Sequence, residues 1–308
     1  MNRHKTIAVI GATGKQGGAV IDALLSAPNG SEITIFALTR NINSASAKRL
    51  AEKSLQQIRL VQGDLDDCPG IFRAIATPVD GLFCVTLPAL GPWARSDAEE
   101  TQGKALVDAA LEHGVGHFVL TSVDRHGADS DTKDTDVPHF ISKAKIERHL
   151  REKCAGTQMT WTMLRPTAFM DNLQPGFAGK IFPTAWKVGL LPTTKLQLIS
   201  SVDIGYFGAQ ALLRPMEFKG REISLAGDEL TFVEANAVFK EKFGYDIPTT
   251  FGFVGTALLW AVADLRLMFK FFNEVGYGSD IQQLRKEHPS LLSLRDWLDS
   301  SAFAVNPK

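Results

Sequence analysis

The chain has 308 residues, enough for two units at about 150 residues per domain, and its 44% hydrophobic and 22% charged residues make an ordinary globular composition. Lys and Arg total 33 against 34 Asp and Glu, a net charge of −1 that argues against direct nucleic-acid binding, which calls for a basic excess. Three widely separated cysteines, Cys68, Cys84 and Cys154, form no C-x-x-C, so buried thiols are expected rather than a disulfide framework or a zinc site.

The first five residues run straight into an apolar strand at residues 6–10 (TIAVI), with neither the long apolar stretch nor the cleavage site of a secretory signal. A cytosolic or nucleocytoplasmic protein is the default expectation. Helical spacing follows at 19–25, then strands at 33–38 (ITIFAL), 58–61, 81–86 (GLFCVT), 117–121 (HFVLT) and 159–164 (MTWTML). Between them the clearest helical patterns are 97–113 and 138–153. Strands that are apolar without alternation are buried on both faces, as a parallel sheet covered by helices requires. The repeating order predicts an α/β fold with a Rossmann-type doubly wound parallel sheet.

After Arg165-Pro166 the alternation weakens. Residues 175–192, rich in Gly, Pro, Phe and Trp, read as irregular structure. Short strands at 196–200 and 222–225, then helices from Phe232 and from Phe253, predict a small C-terminal α+β subdomain. The expected division is 1–163 for the Rossmann domain and 164–308 for a smaller substrate- or partner-side subdomain, interleaved with the first. Residues 247–263 carry no charge, but Asp264, Arg266 and Lys270 follow, leaving less than the ~20 residues that span a bilayer. A buried or dimer-facing helix is expected there, and no membrane anchor.

Gly11-Ala12-Thr13-Gly14-Lys15-Gln16-Gly17 begins directly after the first strand and opens a helix. Its glycines permit a tight turn, a close backbone approach to a pyrophosphate and close packing of helix on sheet. The helix N-terminus then offers N–H groups and a positive dipole end to phosphates. The second strand ends at Thr39-Arg40-Asn41, where an NAD site would carry an acid for the ribose hydroxyls. Arg40 stands there instead, and a guanidinium can pair with a 2′-phosphate, so NADP(H) is favoured over NAD(H). Asp64 and Leu65 follow the third strand, within reach of an adenine amino group. Thr86, Leu87 and Pro88 end the fourth, beside the expected ribose and nicotinamide, because ligands lie outside the carboxyl ends of such strands.

The glycine string, VQGDL, HFVLTS, the His139–Lys143 helix ending in IERHL, and LRPTAFMDN together resemble the NmrA-like branch of the atypical short-chain dehydrogenase/reductases. SSVDIG and the terminal HPSLLSLRDWL resemble its fungal members. The resemblance covers most of the chain and is strongest over 6–172. It implies a Rossmann domain with a small C-terminal subdomain, NADP(H) binding, and either reductase activity or redox-sensing regulation of transcription factors. Pro166 and Phe169, in the last quoted motif, are expected beside the cofactor.

Catalytically competent members of the wider superfamily carry Tyr-x-x-x-Lys on one helix. Here the spacing is kept, but His139 replaces the Tyr while Lys143 is retained and Ser122 occupies the position of the superfamily's serine donor. His has an unperturbed pKa near 6.5 and can transfer protons. Lys143 can serve as base if burial lowers its pKa. Equally, His139 can be a first-turn structural residue after Pro138. His113 and His117 are separated by two glycines, so metal ligation is not expected. The acidic run 129–136 reads as a solvated loop or lid, and Phe169, Phe177, Phe182 and Trp186 as pocket wall or subdomain core.

The reading is an NADPH-dependent oxidoreductase acting on a small carbonyl, enone or imine-type substrate. The alternative is a catalytically silent NADP(H)/NAD(H) sensor that regulates a protein partner. A homodimer is compatible with either.

Overall fold

Six apolar runs form the strands β1 (Lys5–Val9), β2 (Ile33–Thr39), β3 (Ile58–Gln62), β4 (Gly81–Val85), β5 (His117–Thr121) and β6 (Thr160–Pro166). The five pairings among them are all parallel. In the computed structural model, which describes residues 4–28, 30–87 and 97–305, their order is β3-β2-β1-β4-β5-β6. The order reverses at β1, which places β1 and β4 side by side at the switch point where open α/β sheets bind ligands. Two short strands, β7 (Ala168–Phe169) and β8 (Leu196–Ile199), precede β9 (Arg221–Leu225), which completes the seven-stranded sheet at its β6 edge. A final strand, β10 (Asp228–Leu230), pairs antiparallel with β8, and β7 pairs parallel with it, making a separate three-stranded sheet.

The contacts divide the chain into two units, 1–122 with 142–164 and 204–223, and 123–141 with 165–203 and 224–308. In the first, helices clothe the large sheet. The helix Lys15–Leu25 buries Gly17, Val20, Ile21 and Leu24, and Ser44 and Asp67 cap the helices Ala45–Glu52 and Cys68–Ile75 through side-chain bonds to backbone N–H groups. Residues 204–213 return to this unit: a Cβ on Gly205 would lie 2.5 Å from the Ala19 carbonyl oxygen, so only glycine permits that approach.

The second unit has its own core, built around Trp186, Phe239, Phe271, Phe272, Leu294 and Trp297. In this unit the structure changes three sequence expectations. Residues 175–192 are not wholly irregular, because Ile181–Gly189 is a helix. Pro183 falls in its first turn, where a missing N–H breaks no intrahelical bond. Of the two alternatives for the uncharged stretch, the buried helix fails and the dimer-facing one is left standing. Gly252–Ala261 buries only Gly255, which lies against Thr184 and Val188, while Phe251, Phe253 and Trp260 are 72%, 72% and 79% exposed. Among the described residues no single helix is long and apolar enough to cross a membrane. Gly252–Ala261 and Ala263–Glu274 reach that length together but meet at a 106° bend. The acidic run is not simply solvated either: Asp131 accepts from the buried Arg165 guanidinium at 2.7 Å and lies 3.6 Å from that of Arg125.

Candidate active site

The glycine turn follows β1 directly. Ile10 N–H donates to the Phe83 carbonyl, tying this exit to β4, and Gly14 N–H donates to Gly11 O at 2.9 Å to close the turn. Gly11 has φ +76°, and a Cβ there would lie 2.3 Å from Val85 Cγ1. Gly17 packs so closely that its Cβ would meet Gly11 O at 2.3 Å. Gly14 differs, being extended at φ −88°, with only Gly11 O as near as 3.2 Å. It caps the helix without a side-chain bond, and Thr13, Gly14 and Lys15 are exposed at its start. Ala12 is buried beneath them. A glycine turn that opens a helix is the kind of element that can receive a pyrophosphate.

Along the same sheet edge, Thr39 pairs with Gln62 and Gly63 N–H donates to Thr39 O, so the exits of β2 and β3 are neighbours. Arg40 is exposed there. Asn41 shapes the following turn: its Oδ1 accepts from Asn43 N–H at 2.9 Å and its carbonyl from Ser44 N–H. Asp64 is also exposed, and its carboxylate accepts from Asp66 N–H, capping the short turn that begins at Leu65. Arg40 and Asp64 therefore remain open to solvent on the face where an adenosine would lie.

Lys143 is the most constrained of the candidates. It is 6% exposed, and its ammonium contacts Thr86 O at 2.8 Å, Thr86 Oγ1 at 2.8 Å, Thr121 O at 3.4 Å and Glu99 Oε1 at 2.9 Å. Three N–H donors thus face four acceptors. Glu99, 2% exposed in the first turn of the helix Ala98–Glu112, also accepts from Thr86 Oγ1 at 3.0 Å and, through Oε2, from Ser142 Oγ. Nothing in the sequence reading singled out Glu99. The Lys143 amine is half of a buried ion pair with Glu99. Leu87 is exposed beyond Thr86, and Pro88 lies outside the described residues.

Ser122 follows β5 with its N–H donating to Leu164 O at 2.7 Å. Its Oγ is buried with no hydrogen-bond partner among the described residues, as are Thr121 Oγ1 and Gln16 Oε1. Orphaned polar atoms are rare in folded proteins, and these three suit a polar ligand at the strand exits. Together with the uncapped glycine turn, they fit a dinucleotide.

His139 lies one turn before Lys143 on the helix Pro138–Cys154 but is anchored elsewhere. Within the second unit its Nδ1 lies 2.6 Å from Asp264 Oδ2, and its ring meets Phe140 edge-on. Pro166 is buried and Phe169 half-buried, both in the second unit. Phe182 and Trp186 belong to that unit's core, whereas Phe177 is exposed. A pocket in the same unit is lined by Asp134, Asp136, Lys270, Phe271 and Glu274, and includes none of these aromatics.

Burial pushes the Cys84 thiol up to about 12 and those of Cys68 and Cys154 to about 11, as inert thiols require. Among the described residues no group of His, Cys, Asp and Glu is placed to hold a metal.

A family model described as the NmrA-like family matches residues 3–304. An NmrA-like family domain-containing protein of Dictyostelium discoideum is 25% identical over 314 residues, covering 98% of this chain and 99% of its own length. The NmrA-like family domain-containing oxidoreductase lnaB of Aspergillus flavus is 26% identical over 307 residues, covering 89% and 85%. Among solved structures, Citrobacter sp. triphenylmethane reductase complexed with NADP(H) matches at a TM-score of 0.71 and 20% identity, over 96% of this chain and 99% of that one. NmrA, a negative transcriptional regulator, in complex with NAD matches at 0.66 and 18%, over 96% and 94%. At such identities the structural matches show the fold.

Proposed function

The chain belongs to the NmrA-like family, and from that premise we propose that it is an NADP(H)-dependent oxidoreductase reducing a small carbonyl, enone or imine-type substrate. The observation that carries this reading is the buried Lys143, fixed at the exits of β4 and β5 in the same unit as the uncapped glycine turn. In this reading the turn from Gly11 to Gly17 receives the pyrophosphate, Arg40 the 2′-phosphate and Asp64 the adenine, while Thr86 and Lys143 receive the nicotinamide ribose. The bound dinucleotide supplies hydride. Lys143 orients the ribose by exchanging one of its present acceptors for a hydroxyl, and Ser122 Oγ donates to the substrate oxygen or nitrogen; the proton is assigned to His139 from its sequence spacing to Lys143 alone. That a relative is an oxidoreductase, and that a fold neighbour is a reductase holding NADP(H), support the same reaction class.

A panel of quinones, enones, ketones and imines, assayed by loss of reduced-nicotinamide absorbance, tests it. Turnover with at least one class, abolished in Lys143→Met, is expected. NADPH that binds but is oxidised by none of them contradicts it.

One observation favours a second reading, a redox-responsive binding protein: the superfamily's tyrosine is absent, and His139 in its place is tied to Asp264. The fold neighbour that is a negative transcriptional regulator supports this alternative. Cofactor state would then act only through different affinities of its two forms for a protein partner.

A further inference from the structure

Lys143 has enough backbone and hydroxyl acceptors around it to satisfy an ammonium by hydrogen bonding alone. Thr86 O and Oγ1 lie at 2.8 Å, and Thr121 O completes the set at 3.4 Å. The fold nonetheless adds a carboxylate, Glu99, at 2.9 Å and 2% exposed. Glu99 is itself fully engaged, with Thr86 Oγ1 donating to one oxygen and Ser142 Oγ to the other. Its place in the first turn of a helix adds a favourable dipole. What a carboxylate contributes here that a neutral acceptor cannot is cancellation of one full charge, in a buried setting where charges act strongly.

That cancellation matters to one property of a nicotinamide. The oxidised ring carries a positive charge and the reduced ring does not, so an uncompensated ammonium nearby would oppose binding of the oxidised form only. We propose that Glu99 is the counter-charge of the cofactor site, a specificity-determining residue that keeps Lys143 from discriminating against the oxidised dinucleotide. The inference rests on the dinucleotide reading above and holds for enzyme and sensor alike. An enzyme must release or rebind both forms, and a sensor must bind both to report their ratio.

The test is the ratio of dissociation constants for NADP+ and NADPH, measured by titration calorimetry on the full chain. Glu99→Gln is isosteric, keeps one acceptor oxygen for Lys143 and Thr86 and turns the other atom into a donor that the Ser142 hydroxyl can accept; it should weaken NADP+ relative to NADPH by roughly tenfold. Glu99→Asp should restore the wild-type ratio, and so should the double variant Lys143→Gln/Glu99→Gln, from which both charges are gone. A merely structural carboxylate would weaken both forms alike, and that result overturns the proposal. If Glu99→Gln does not fold, Lys143→Gln carries the test. It leaves the carboxylate alone and must tip the ratio the other way, toward the oxidised form, and an unchanged ratio there is equally fatal. A wild type that binds neither form removes the dinucleotide reading itself, whereas an unchanged ratio in variants that bind both removes only the role of Glu99.

Discussion

His139 Nδ1 lies 2.6 Å from Asp264 Oδ2, and the backbone N–H of His139 donates to the other oxygen of the same carboxylate at 3.3 Å. One carboxylate thus fixes both the main chain and the ring of His139. Burial pushes the Asp264 carboxyl up, but the hydrogen bonds and charge of His139 outweigh it and hold the group below the ordinary carboxylate range. Asp264 is therefore ionised at neutral pH. A carboxylate on one ring nitrogen sets the tautomer, and on the oxidoreductase reading Nε2 is the atom for proton transfer.

On the oxidoreductase reading, His139→Phe lowers turnover by about 10²–10⁴ while leaving NADPH affinity intact. Asp264→Asn keeps the ring but loses its charged partner, so its effect is smaller. Steady-state rates with separately measured affinities check both. An unchanged rate in His139→Phe assigns the His139–Asp264 pair to structure alone.

His117 makes a pH prediction of known sign. Its ring bridges Thr160 Oγ1 at 2.7 Å and Thr162 Oγ1 at 2.9 Å, and burial, helped by the charge of Lys5, lowers its pKa from 6.5 to about 4. Above pH 6.5 the ring is neutral in both folded and unfolded chains. Between 6.5 and about 4 only the unfolded chain takes up the proton, so stability falls as pH falls through that window. The loss approaches roughly 3 kcal/mol at the bottom of it. Denaturant midpoints above and within the window should show this slope in the wild type and a flatter one in His117→Gln. Parallel slopes would contradict it.

Arg40 bears on cofactor choice. A charge-assisted pair with a 2′-phosphate is worth roughly 1.5–3 kcal/mol, about ten- to a hundredfold in affinity. Arg40→Ala should lose that factor for NADPH and leave NADH nearly unchanged. Equal wild-type affinities for the two cofactors would remove the role assigned to Arg40.

The parallel sheet was legible because most of its first six strands are rich in apolar residues without strict alternation, and a glycine turn at the exit of β1 is a local signal. Lys143 and His139 were legible from their spacing. Their partners were not. Glu99 reads in sequence as one more acid in the first turn of a helix, and only the tertiary fold brings it to Lys143, 44 positions later. Asp264 reads as the charge that ends an apolar stretch, yet it lies against a ring 125 positions earlier. The helix Ile181–Gly189 was hidden by its Pro and Gly. Pro183 is harmless in a first turn, and Gly189 is required where a Cβ would lie 2.5 Å from Phe269. Pairings set by packing carry no periodicity to read.

The two ends of the glycine turn separate folding from binding. A Cβ on Gly17 would strike backbone at 2.3 Å and 2.7 Å, so Gly17→Ala should destabilise the fold itself, by roughly 1–3 kcal/mol. Gly14 is extended, where a β-branched residue is comfortable, and its only near neighbour is Gly11 O at 3.2 Å. The most direct measurement of whether this turn holds a dinucleotide is therefore calorimetric titration of Gly14→Val with NADPH, alongside circular dichroism. A folded variant that has lost NADPH binding is the predicted result. A folded variant that binds NADPH like the wild type would contradict the site.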